Sequence, residues 1–128
     1  MLYTVETLTS LETVKTTMDK RAKEYKFGLL KDYNFQEMLE LKHFPISHEI
    51  HVFELCFPPA AQQAMESIPT MSVYLPCRVS AFVENGKTKL TTIGMEEIMQ
   101  NFDLPNDFKE NMGEVYKKLQ DLMNSFNK

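Results

Sequence analysis

Ser72 to Gly94 reads SVYLPCRVSAFVENGKTKLTTIG, and its Asn85-Gly86 dipeptide stands between two runs that alternate apolar and polar. A two-residue hairpin turn that matches the twist of its strands needs positive φ at both positions, which asparagine and glycine accept most readily. The pair therefore predicts a hairpin and fixes its register. Glu84 opposes Lys87, Phe82 opposes Lys89, Ala81 opposes Leu90 and Val79 opposes Thr92. Alternation then sends Cys77, Val79, Ala81, Val83 and Leu90 to one face, and Arg78, Ser80, Phe82 and Glu84 to the other.

Outward from the hairpin, the pattern predicts the remaining elements. Leu2–Leu8 is rich in β-branched and aromatic residues and reads as a first strand. Thr9 with Glu12 gives a capping-box pattern, after which Leu11, Val14, Met18, Ala22 and Tyr25 recur at helical steps, with Gly28 as the terminator. Leu29–Phe35 reads as a second strand, Gln36–Lys42 as a short helical turn and Ile46–Leu55 as a third strand. Pro58 and Pro59 open a helix at its first turn, where a missing N–H costs little, and Pro69 closes it. Met95–Phe102 is a short helix, and after Pro105 a longer one carries Phe108, Met112, Val115, Leu119, Leu122 and Phe126 in one stripe, weakened by Gly113. The resulting fold class is α+β, a two-layer sandwich of β-α-β(4)-α order, with a mainly antiparallel sheet and helices on one face.

With 128 residues the chain reads as a single domain, 1–128, large enough to bury a core without staples. Its net charge of −4 disfavours nucleic acid and anionic membrane as partners. The cations Lys15, Lys20, Arg21, Lys23 and Lys26 do not override that balance, being interleaved with Glu12, Asp19 and Glu24 as on a solvated helix face. MLYTVETLTS lacks the basic start and apolar run of a signal peptide, and no apolar segment approaches the ~20 residues that span a bilayer. The expected location is the cytoplasm, where Cys56 and Cys77 stay reduced.

Cys56-Phe57-Pro58, an alanine-rich helix, Pro69, and Leu75-Pro76-Cys77 ahead of a hairpin resemble the bacterial and archaeal domain of unknown function 302 family, as does Phe27-Gly28-Leu29-Leu30. The resemblance covers nearly the whole chain. It implies the same strand, helix, four strands, helix order in two layers, and it carries no established activity. Relatives commonly have asparagine after the first motif cysteine, where this chain has Phe57.

Among candidate functional residues, Cys77 shares its face with Val79 and Ala81 and reads as a packed thiol, with Pro76 placed to kink the strand and expose it. Cys56 precedes Pro58 at a helix start, a location that favours thiolate, and the two cysteines are expected to line one small pocket. His48-Glu49-Ile50-His51 has the wrong spacing for a zinc-protease helix, and in a strand its histidines would face opposite ways, so no metal site is expected. His51 remains a candidate pocket residue and His43 a loop residue. Nothing resembles a phosphate loop, a nucleophile elbow or a dinucleotide fingerprint, and Met95, Met99, Met112 and Met123 read as core. The expectation is a non-catalytic binding or interaction domain for a small ligand, homodimeric through an uncovered sheet face carrying Phe82 and Phe53. The alternative is a thiol-dependent redox or cofactor-binding protein using Cys56 and Cys77.

Overall fold

The structure, a computed structural model, describes residues 1–100 and 102–127. Its elements run β1 (Leu2–Thr7), α1 (Leu11–Glu24), β2 (Gly28–Asn34), α2 (Phe35–Leu41), β3 (His51–Cys56), α3 (Pro58–Ser67), a 3-10 turn (Pro69–Val73), β4 (Cys77–Glu84), β5 (Lys87–Ile93), α4 (Met95–Gln100) and α5 (Asn106–Asn124). The five strands form one antiparallel sheet in the order β1-β5-β4-β3-β2. Both ends of the chain meet at the β1 edge, where the Thr7 and Thr9 hydroxyls donate to the Phe126 carbonyl at 2.6 and 2.7 Å.

The turn has the predicted form, with φ of 54° at Asn85 and 76° at Gly86. From it the β4–β5 ladder runs Glu84–Lys87, Val83–Thr88, Phe82–Lys89, Ala81–Leu90 and Ser80–Thr91. There it stops: the expected Val79–Thr92 pair is not part of the ladder. The Thr92 hydroxyl instead donates to the Arg78 carbonyl at 2.6 Å. β3 still pairs with β4 as far as Cys77, and β1 with β5 as far as Ile93, so the two central strands part company only from each other.

Alternation decides which face is filled. Val5, Phe53, Leu55, Val79, Ala81 and Leu90 point to one side and are buried against Leu11, Val14, Met18 and Ala22 of α1 and Val115, Leu119 and Leu122 of α5. Phe53 therefore belongs to the covered face, not to the open one, because His51, Phe53 and Leu55 share a parity set by the pairing of Phe53 with Val79. A second apolar cluster, containing Ala64, Met71, Ile98, Leu104, Phe108 and Met112, fills the space beside the parted strand ends. Met123 is buried in the main core, while Met95 and Met99 pack against the second cluster.

Several boundaries differ from the sequence reading, each for a local reason. α1 is capped by Ser10, whose hydroxyl accepts from the Thr13 amide at 3.1 Å, while Thr9 is occupied with Phe126. The left-handed residue that closes the helix is Lys26, not Gly28: Lys26 takes φ of 70°, its amide bonds to the Lys23 carbonyl, and the Phe27 amide reaches back to the Ala22 carbonyl. That paired closure seats Phe27 in the core beside Ala22. Gly28 is the first residue of β2, opposite Cys56. α2 is closed in the same way by His43, with φ of 67°. β3 begins only at His51, so His48 lies ahead of the strand and its parity argument does not apply to it. The short helix stops at Gln100; of the expected remainder, Asn101 lies outside the described residues and Phe102 is not helical.

Two glycines give a contrast of opposite sign. A side chain at Gly86 enters left-handed backbone, whereas a Cβ at Gly113, inside continuous α5, meets nothing within 4 Å. Gly86→Ala is expected to cost about 1–2 kcal/mol and Gly113→Ala to gain about 0.5–1 kcal/mol, both read from urea unfolding midpoints.

Candidate functional site

β3 ends at Cys56 and β4 begins at Cys77, directly after a cis Leu75–Pro76 bond; Cys77 opposes Leu55 across the ladder. Both cysteines are free thiols, and with Pro76 they line a small apolar cavity of about 80 Å³ closed by Phe57, Ala61 and Met65. Pro58 stands apart from that lining as the first residue of α3. His51 is at the far end of β3, roughly 17 Å away by strand rise, and takes no part in it.

Neither thiol is activated. Burial pushes the Cys77 thiol up to about 11, with the neighbouring Cys56 adding to the effect. Burial also raises Cys56. The expected help from the helix start is missing because Pro58 and Pro59 occupy its first two positions and carry no N–H, and Phe57 offers no capping side chain. Arg78 borders the same region, but β-alternation turns it away, and its Nε lies 3.9 Å from Glu54 across the sheet.

His51 is instead the hub of a polar cluster at the rim of the core. Its ring is buried and stacks on Phe53, Nδ1 lies 3.1 Å from Asp32 and Nε2 lies 2.8 Å from Glu49. Lys15 of α1 bridges Glu49 at 3.4 Å and Glu12 at 3.2 Å. The His51 hydrogen bond, followed by that of Lys15, holds the Glu49 carboxyl below its ordinary value. These contacts fasten the segment before β3 to α1 and β2. Among the described residues no group of three or more His, Cys, Asp or Glu is placed to hold a metal ion.

A second concavity, larger than the cysteine-lined one, was not singled out by sequence. Where β4 and β5 part, a cavity of about 330 Å³ opens, walled by Leu75, Ile93, Met95, Ile98, Met112 and Leu119, with Cys77 shared between it and the small cavity. Small-molecule sites begin at about this size. Its polar edges are already satisfied. Tyr116 donates its hydroxyl to the Ile93 carbonyl at 3.0 Å, Thr92 donates to Arg78, and burial raises the Tyr116 phenol. Arg78 is the one charged side chain in the lining among the described residues, and it sits on the outer side of the sheet. The signal that could have found this site was the methionine-rich Met95–Met99 segment, which covers the sheet's end instead of its face.

The fold and cavities define a two-layer α+β protein with an apolar, ligand-sized hollow at one end of its sheet. The sequence matches "Domain of unknown function DUF302" over residues 3–126, and the chain belongs to that family. It is similar to the crystal structure of an uncharacterized conserved DUF302 protein from Bacillus stearothermophilus, with 25% identity and a TM-score of 0.82 over 96% of this chain and 95% of that one. No curated protein matches it significantly. Among the described residues, no helix is long and apolar enough to cross a membrane.

Thiol chemistry follows the geometry. In the folded protein Cys77 is expected to stay unreactive toward Ellman's reagent at neutral pH and to label only as the pH nears 11, while half-buried Cys56 labels more slowly than a free thiol. Fast labelling of either at pH ~7, under conditions where the fold is intact, contradicts the burial argument.

Proposed function

We propose that this protein is a non-catalytic binding domain whose site is the cavity between β4, β5, α4 and α5, and whose ligand is a small, uncharged, apolar molecule. The observation that carries the reading is the hollow itself: about 330 Å³ of space with an apolar lining beside a well-packed core. Packed interiors leave few voids larger than a water molecule, so an apolar space of this size stands out. Water gains little there, because the tyrosine and threonine hydroxyls at its edge already donate to backbone carbonyls.

The same chemistry sets the ligand class. A polar or ionised ligand would leave its solvation behind and find few free partners in the lining, whereas an apolar body loses nothing it needs. Met95 and Met112 add adaptable walls that accept more than one shape. Two neutral thiols support this reading over the thiol-dependent one, since attack on a disulfide or electrophile requires thiolate.

Naphthalene serves as the first test ligand, read by methyl NMR. The methyl resonances of Ile93, Ile98 and Leu119 are expected to shift on its addition, while those of Val5 and Val14, in the main core, stay in place. Val115→Phe, which fills the cavity from α5, should abolish the shifts while leaving circular dichroism unchanged. If neither naphthalene nor an aliphatic counterpart such as cyclohexane perturbs those methyls, the binding reading is wrong.

A further inference from the structure

The helices α1 and α5 cover one face of the sheet, and among the described residues no helix packs across the other. Across that open face a row of uncharged side chains runs from Tyr33 through Val52, Ser80 and Thr91 to Thr4. Because Ser80 and Thr91 are short, the face is concave, with a groove of about 340 Å³ whose walls include Leu2, Phe35, Val52 and Ile93.

At one side of the groove stands α2, and it is an unusual helix. None of its residues is buried, although four of its seven are apolar. Met38 is 41% exposed, Leu41 80%, and Phe44 just beyond the helix 75%. Nor is it loosely attached: the Asn34 side chain caps its first turn, Phe35 stacks on Tyr33 at 5.8 Å, and the closure at His43 fixes its end. A firmly held helix that shows its apolar residues to solvent is the mark of a surface with a partner.

We propose that the partner is a second copy of this chain, with α2 of each protomer lying against the open sheet face of the other. This inference does not depend on the cavity at the sheet's end. Charge weighs toward the pairing: Glu37 and Glu40 flank the apolar residues of α2, while the face carries Lys31, Arg78, Lys87 and Lys89 against Glu6, Glu54 and Glu84, one positive charge in excess. Arg78 is 58% exposed, and its one charged neighbour among the described residues is Glu54, at a distance too long for a hydrogen bond. Area favours it too. Five strands of about six residues cover roughly 450 Å², short of the ~800 Å² per partner typical of a stable interface, and α2 with Phe44 enlarges the contact. Under two-fold symmetry each dimer makes the helix-on-sheet contact twice.

Sedimentation velocity at micromolar concentration tests this, with circular dichroism reporting on folding. The wild-type protein is expected to be a dimer. Leu41→Glu, at an exposed position, and Ser80→Arg, on the groove floor, should each weaken dimerisation by roughly a hundredfold or more, as loss of a central contact does. Because Leu41→Glu spoils only the helix and Ser80→Arg only the groove, an equimolar mixture of the two variants regains one intact contact and should dimerise more than either alone. A wild-type monomer leaves the face to some other partner and overturns the proposal. So does a dimer that both variants leave intact.

Discussion

The two-residue turn at Asn85 and Gly86 is the constraint from which the rest follows. Both residues hold left-handed backbone, which brings β4 and β5 together at one register. With a side-chain period of two, that register decides which residues face α1 and α5. Val79, Ala81 and Leu90 fall on the covered side and form the middle of the core floor. β3 and β1 then join the outer edges of this hairpin, and the parity of Phe53 and Val5 is inherited from it.

The same ladder also explains where space is left. It holds for five pairs and then gives way, because the Thr92 hydroxyl takes the Arg78 carbonyl. Beyond that point the strands are separately held by their outer neighbours, and the space at their ends is roofed by α4, α5 and the 3-10 turn. Their side chains do not fill it. Cys77 lies at this junction, and its surroundings give it the character of a small hydrophobe instead of a nucleophile. The proposed binding cavity comes from imperfect closure of the core, while the polar His51 cluster secures the opposite end of β3.

Much of this was legible in the sequence because it is governed by local rules. The turn dipeptide, the stripe of α5 and the proline start of α3 each carry their own physical reason, and the family resemblance agreed with them. What was not legible depends on tertiary choice. Nothing local tells that Ser10 rather than Thr9 caps α1, since Thr9 is drawn off by a carbonyl more than a hundred residues away. Lysine at a left-handed helix end is chosen because it lets Phe27 reach the core, a packing gain that propensity does not register. Likewise the cavity arises from a missing ladder pair, and an alternating pattern continues through Thr92 as if the pair were made.

The register is most directly tested by cross-strand nuclear Overhauser effects between α-protons, which are strong only at the closely spaced, non-hydrogen-bonded pairs of an antiparallel ladder. With Glu84 and Lys87 flanking a two-residue turn, those pairs are Val83 with Thr88 and Ala81 with Leu90. Strong effects at both pairs are the predicted result. Effects joining Ala81 to Lys89 or Thr91 instead would mean a one-residue slip, and the assignment of every side chain to its face, Cys77 included, would be wrong.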